Sequence, residues 1–319
     1  VAQTTARRTP TAPPASPPPP SPTPSPARTA RIKHLLAATT LSLPLILFAL
    51  VFVAYPLISG GATAFQSKTL LNPDAAFNGI DNFIALFKNE AFAKAAGFTV
   101  LFSAVVVCLE MVLGFGLALL MNRAFPGKKL FFTLILLPIM VAPALLGIMF
   151  RLLLNGDIGA IPALLDTMGM SVSLFSPDSV IPLLIVLDVL QWTPFTFLII
   201  YAGLQSFPKE LLEASAMDGA GFFRSLWLII VPVLKPVLFA AFFLRAIDAL
   251  RTFDVIYVLT AGGPGTSTTT LSIYIYKAAF EAGDFGKAAA ASLVVLICLL
   301  PFIPAIVKRI ASTESAGKK

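Results

Sequence analysis

The chain has 319 residues, 57% hydrophobic and 12% charged, with a formal charge of +7 and a mean hydropathy of +0.87. A soluble globular domain carries roughly 25% charged and 45–50% apolar residues, so this composition excludes a soluble enzyme and requires a lipid solvent. Two cysteines inside apolar runs, Cys108 and Cys298, and a single histidine, His34, exclude a disulfide scaffold and a Cys-rich metal site.

Residues 1–30 hold ten of the 26 prolines, including Pro17 to Pro20, and read as a disordered, Pro-rich cytoplasmic tail. Residues 31–319 read as one transmembrane domain. Six runs in it are long enough to cross a hydrocarbon core, which takes roughly 20 helical residues. They are Leu35–Ile58, Gly97–Met121, Leu130–Leu154, Val180–Gly203, Val237–Leu259 and Ala288–Ile310. The third carries Pro138 and Pro143, the fourth Pro182 and Pro194, the sixth Pro301 and Pro304. Neighbouring helices re-satisfy carbonyls freed by proline, so kinks are expected rather than breaks.

Most of the 23 Lys and Arg residues fall on one side of this topology: Arg7, Arg8, Arg28, Arg31 and Lys33 before run 1, Arg123, Lys128 and Lys129 after run 2, Lys209, Arg224 and Lys235 after run 4, and Lys308, Arg309, Lys318 and Lys319 at the end. The positive-inside rule then places both termini in the cytoplasm. The +7 balance is a topology signal and implies no nucleic-acid partner. Ala62-Thr63-Ala64 resembles a signal-peptidase site, but the run before it is too long for a signal h-region and reads as a retained helix.

The loop between runs 4 and 5, about 204–232, is rich in helix formers and small residues. Ser206 is expected to cap a helix whose first turn holds Pro208. Glu210 to Met217 favour helix, and Gly219 lies where the helix should stop and the chain reverse. A second short amphipathic helix is expected to run to Pro232. Glu213 and Asp218 supply charge, and Ala214, Ser215, Ala216 and Ala220 let another surface approach. The elbow has no nucleophile, base or metal cluster and reads as a docking knob.

Glu213-Ala214-Ser215, three residues, Gly219, nine residues, Ile229, one residue and Val231-Pro232 resemble the EAA loop of permeases in binding-protein-dependent ABC importers. Ser215 and Val231 depart mildly from the strict Ala and Leu. Phe77-Asn78-Gly79-Ile80-Asp81-Asn82-Phe83, Leu117 to Arg123, Leu136-Leu137-Pro138 and Leu259-Thr260-Ala261-Gly262-Gly263-Pro264 are similar to the carbohydrate branch, the last to its MalF-like subunits. The resemblance implies an all-α membrane protein, the six-helix bundle of a type I (MetI/MalF-like) importer permease in the bacterial inner membrane. It implies a second, MalG-like permease, an ATPase homodimer and a periplasmic substrate-binding protein as partners, in a lipid surround. ATP and Mg would sit on the ATPase, with no cofactor or metal on this chain and no catalytic residue. Glu213, Ala214, Ser215, Asp218 and Gly219 would couple the ATPase to the bundle.

Charge inside a span is costly and marks function by default. Run 5 carries Arg245, Asp248, Arg251 and Asp254, one every three residues, and run 4 adds Asp188, Gln191, Trp192 and Phe195. Aromatic faces suit sugar rings and polar groups suit hydroxyls. Counting from the motifs, the resemblance places sugar-contacting positions on Gln191, Trp192, Phe195, Arg245, Asp248, Ala249 and Thr252. Arg245 either meets an acidic saccharide or pairs with Asp248 to neutralise its burial. Arg251 and Asp254 read as structural, and Glu110 as an interhelical hydrogen-bonding group. The competing classes are a secondary transporter, a membrane enzyme and a scaffold. No inverted repeat favours the first, no convergent catalytic cluster the second, and a scaffold has no need of mid-span charge. The chain has no GxxxxGK[ST] loop, so any use of ATP requires a partner.

Overall fold

A computed structural model describes residues 42–74, 76–169 and 173–301. The Pro-rich tail, the basic residues before run 1 and those at the C-terminal end lie outside the described residues. The chain divides into two units, one ending at Ile58 and the other beginning at Ser59. The described residues are helical without named strands; Gln66–Phe77 and Thr69–Asp284 form isolated antiparallel bridges.

Helix α1, Ser42–Thr63, is uncharged and mostly apolar, with a π-helical stretch at Leu50–Ala54 and Phe48 stacked on Phe52. After a short helix, α2 (Asp81–Lys88), comes α3, Glu90–Asn122. Asn89 starts α3 by accepting from the amides of Ala91 (2.8 Å) and Phe92 (3.3 Å), which fills two of the four unpaired donors of a helix start. At 33 residues α3 exceeds what the apolar run alone suggests, because the polar first turns at Glu90–Lys94 are held by an i,i+4 ion pair of 2.7 Å.

The third run departs from expectation. It forms α4 (Lys128–Leu136), a 3-10 turn (Pro138–Met140) and α5 (Pro143–Leu153), and the two helices are bent by 95°. It is broken, not kinked. Pro143 forces the preceding Ala142 out of the helical region, to φ −60° and ψ 136°, and Val141 is extended too. The freed Val141 carbonyl accepts from Gln191 Nε2 at 3.2 Å, so a side chain from another span satisfies the break.

A short helix, α6 (Ala160–Thr167), precedes α7, Val180–Gln205, which starts as expected and carries Pro194 in its interior without breaking. Next come α8 (Lys209–Met217) and α9 (Phe222–Ser225), which continues through a π-helical stretch (Leu226–Ile230) into α10 (Val231–Ala249). The fifth run is thus the far part of a longer helical path, Phe222–Thr260, interrupted at residues 250–253 before α11 (Asp254–Thr260). Thr270 Oγ1 donates to the Thr252 carbonyl at 3.1 Å and Ser272 Oγ to the Arg251 carbonyl at 3.2 Å, pairing acceptors that the interruption frees. The charge ladder therefore does not continue along one helix: Arg251 lies in the interruption and Asp254 opens α11, both exposed. Helices α12 (Leu271–Tyr276) and α13 (Phe285–Leu299) complete the described chain. The sixth run extends past Leu299 into residues outside it. Four helical segments are long and apolar enough to span a membrane, and a fifth if the bent pair is one span.

The bundle is built on α3 against α7, with α10 packed on both. Lipid gives no hydrophobic drive between helices, so small residues and interhelical hydrogen bonds set the approach. A Cβ on Gly114 of α3 would collide with Thr196 Oγ1 and stand 2.9 Å from the Phe197 amide nitrogen of α7. The Thr196 hydroxyl lies 3.0 Å from the Glu110 carbonyl. Two apolar clusters flank the middle of these helices. One contains Phe102, Val106, Val107, Leu184, Leu187 and Ala249. The other, toward the α8–α9 elbow, contains Ala118, Met121, Phe197, Ile200, Leu234 and Ala241.

Candidate functional site

Between those two clusters, along all three helices, lies a layer of charge. Glu110 of α3, Asp188 of α7 and Arg245 of α10 are each flanked in sequence by members of one cluster on one side and the other cluster on the other. Arg245 and Glu110 are wholly buried, and Asp188 is 3% exposed. Arg245 Nη2 donates to Glu110 Oε1 at 2.9 Å and to Asp188 Oδ2, while its Nε stands 2.6 Å from Glu110 Oε2. Its Nη1 donates to Asp248 Oδ2 at 3.3 Å, and the Asp248 side chain is 45% exposed. Trp192 places its ring 5.2 Å from the guanidinium carbon, a cation–π contact.

A single buried cation thus meets three carboxylates. Burial of each ion is costly, and mutual attraction offsets it only with good geometry. Here the planar guanidinium fork spreads its donors over the carboxylates of Glu110, Asp188 and Asp248, the first two on other helices. Of the two sequence readings of Arg245, neutralisation by pairing accounts for its environment, but the principal partners are Glu110 and Asp188 from other helices, not Asp248 alone. Glu110 is an interhelical bonding group as expected; the charge it serves, 135 positions away, was not evident from spacing.

The remaining residues suggested for a substrate path separate into two groups. Trp192 and Phe195, half-buried, meet edge to face with ring centres 6.3 Å apart, beside the Arg245 layer. Gln191 is 1% exposed and holds the broken third span through Val141. Thr252 is half-buried in the interruption before α11, where its carbonyl is taken by Thr270. The Asp248 carboxylate, the aromatic pair and Thr252 are the parts of this set that keep exposed surface.

The second candidate region is the elbow. Helix α8 ends at Met217 and the chain reverses at Gly219, whose φ of +71° favours glycine. The Gly219 and Ala220 amides pair with the Ala216 and Ser215 carbonyls at 3.1 and 3.0 Å, closing the helix end. Ser206 does not cap α8. Its hydroxyl instead donates to the Ala202 carbonyl at 3.3 Å, back into α7, and Pro208 occupies the cap position. The second helix also does not stop at Pro232: the chain passes through the π-helical stretch Leu226–Ile230 just before that proline and continues as α10.

Glu213, Ala214, Asp218 and Gly219 are exposed on this elbow, with Met217 89% exposed and Phe223 73%. Among Glu213, Ala214, Ser215, Asp218 and Gly219 only Ser215 is buried, and its Oγ lies 2.6 Å from Ser225 Oγ of α9. That hydroxyl pair ties the two arms together, which gives the departure from alanine at this position a structural role.

The chain from Glu110 to Ile310 matches the family described as the binding-protein-dependent transport system inner membrane component. The chain belongs to that family, and it is a membrane-embedded transport subunit. It is 35% identical over 262 residues to the trehalose/maltose transport system permease protein MalF of Thermococcus litoralis, covering 82% of this chain and 88% of that one. It is 34% identical over 284 residues to the sulfoquinovosyl glycerol transport system permease protein SmoG of Agrobacterium fabrum, covering 88% and 92%. Among solved structures, a bacterial alginate ABC transporter in complex with an alginate pentasaccharide-bound periplasmic protein shares the fold, with a TM-score of 0.75, 23% identity, and coverage of 88% of this chain and 94% of that one.

Proposed function

We propose that this chain is one of two permeases forming the path of an ATP-driven importer for a sugar or sugar derivative, neutral or acidic. The relatives support this class. MalF is named for trehalose and maltose, SmoG for sulfoquinovosyl glycerol, and the alginate importer is bound to a saccharide-loaded periplasmic protein. In this reading a periplasmic protein delivers the solute, a second homologous permease completes the path, and an ATPase pair binds ATP and Mg. The elbow faces the cytoplasm, in keeping with Arg123, Lys128, Arg224 and Lys235 near it.

The observation that carries the coupling role is the elbow itself: an exposed, small-residue surface held rigid from within by Ser215 and Ser225. Closure of the ATPases would press on Glu213, Ala214, Asp218 and Gly219 and move α7 and α10, between which the elbow is strung. These residues transmit force and make or break no bond. Substrate would pass Trp192, Phe195 and Asp248 at mid-bundle, with Thr252 beyond; Arg245, Glu110 and Asp188 hold those groups in place, and Gln191 holds the broken span. Affinity purification of a tagged chain from its own membranes tests the assembly. An ATPase and a second permease should co-purify, and the complex should drive ATP-dependent saccharide uptake in proteoliposomes. A chain that purifies alone and transports without ATP overturns the proposal.

A further inference from the structure

This inference rests on the reading of the chain as a saccharide importer subunit. If an acidic saccharide is carried, its anionic group needs a cation, and Arg245 is spent on Glu110, Asp188 and Asp248. A second arginine is better placed. Arg151, in the last turn of α5, donates from Nη1 to the Val258 carbonyl of α11 at 3.1 Å, and among the described residues it has no carboxylate partner. The bond to Val258 fixes the guanidinium and leaves the Nε–Nη2 edge, the edge that grips carboxylates and sulfonates in a bidentate way.

Arg151 lines a cavity of about 290 Å³ together with Asn155, Phe175, Val180, Thr260 and Pro264. That is near the small end of ligand-sized cavities, roughly 300–1,000 Å³, and suits about one sugar ring. Asn155 Oδ1 is already occupied by the amides of Asp157 and Ile158, at 2.9 and 3.2 Å, which turns its amide nitrogen into the available donor. Phe175 adds an aromatic side chain to the lining, suited to the apolar side of a pyranose. The Thr260 and Pro264 wall is rigid: Thr260 Oγ1 lies 2.8 Å from Thr268 Oγ1, and Thr268 in turn donates to the Gly263 carbonyl at 2.7 Å. Val180 precedes Asp188 by eight residues on α7, so the cavity lies about 12 Å from the charged layer along the helix, away from the elbow.

We infer that this cavity is a subsite for the anionic ring of an acidic saccharide, with Arg151 taking the carboxylate or sulfonate and Asn155 an adjacent oxygen. In the orientation proposed above it sits at the outer mouth, where solute arrives. Loss of a charge-assisted bidentate contact lowers affinity roughly ten- to a hundredfold.

The test uses the complete importer in phosphatidylcholine nanodiscs, with digalacturonate and maltose as probes and calorimetric titration as the readout. Wild type should bind digalacturonate, Arg151→Gln should lose about tenfold or more, and Arg151→Lys should fall between. Glutamine still reaches toward Val258, and an unchanged melting temperature certifies the fold. Equal digalacturonate affinity in wild type and Arg151→Gln overturns the subsite, as does an absence of digalacturonate binding to wild type. Competition by phosphatidylglycerol that abolishes binding assigns Arg151 to lipid headgroups and also overturns it. ATP-driven maltose uptake separates the two levels: if it persists while Arg151 proves indifferent, the subsite alone fails; if no saccharide of either kind is transported, the underlying reading fails.

Discussion

Arg245 and Glu110 are both wholly buried, on helices α10 and α3, with the guanidinium Nε 2.6 Å from Oε2 and Nη2 2.9 Å from Oε1. Asp188 of α7 binds the same guanidinium. Three helices are therefore joined by one cation at the level where their apolar clusters part.

Removal of the cation should cost more than removal of charge from one partner. Arg245→Met leaves carboxylates buried without a counter-ion, and a broken buried pair costs about 3–5 kcal/mol. Glu110→Gln keeps an acceptor for Nη2 and should cost only about 1–2 kcal/mol. Thermal melting of the detergent-solubilised chain should rank wild type, then Glu110→Gln, then Arg245→Met. The triple change Arg245→Met, Glu110→Leu and Asp188→Leu should recover part of the loss.

Gly114 sets the approach of α3 to α7. Gly114→Ala drives a methyl group against Thr196 and the Phe197 backbone, and overpacking of this kind costs about 1–3 kcal/mol. Gly97→Ala on the same helix meets nothing within 4 Å and serves as the control. Melting temperature should fall for the first and hold for the second.

The Ser215–Ser225 pair should be worth about 1 kcal/mol. Ser215→Ala should speed amide exchange in α8 and α9 by about fivefold while exchange in α3 stays unchanged. A uniform change across the chain would contradict a local tie.

Gln191 should matter to the broken span more than to sugar selectivity. Gln191→Leu removes the donor to the Val141 carbonyl, and exchange should rise at residues 137–146. Transport of any saccharide should fall to a similar degree. A change confined to one saccharide would return Gln191 to the substrate path.

The helical class, the span at Val180 and the turn of the elbow are legible in the sequence because each rests on local chemistry: apolar length, helix formers, and a glycine where φ turns positive. The break of the third span is not. Pro138 and Pro143 are compatible with a kink or a break, and the outcome depends on Gln191, some 50 positions away, reaching the Val141 carbonyl. The charged layer is legible in pieces. Arg245, Asp188 and Glu110 each stand out as mid-span charge, yet their meeting is a property of helix packing. Spacing along one helix favours Asp248 as the partner of Arg245, and the structure makes Asp248 the most exposed and most distant of the three.

The central claim, that the elbow couples ATP hydrolysis to passage through the bundle, is tested most directly by Gly219→Pro in the complete importer. At φ +71° proline cannot follow the turn. Uptake and ATPase activity are measured together in proteoliposomes. Uptake should fall at least tenfold while the complex still assembles and ATP is still hydrolysed, no longer stimulated by the loaded binding protein. Undiminished uptake by the assembled variant would contradict the account.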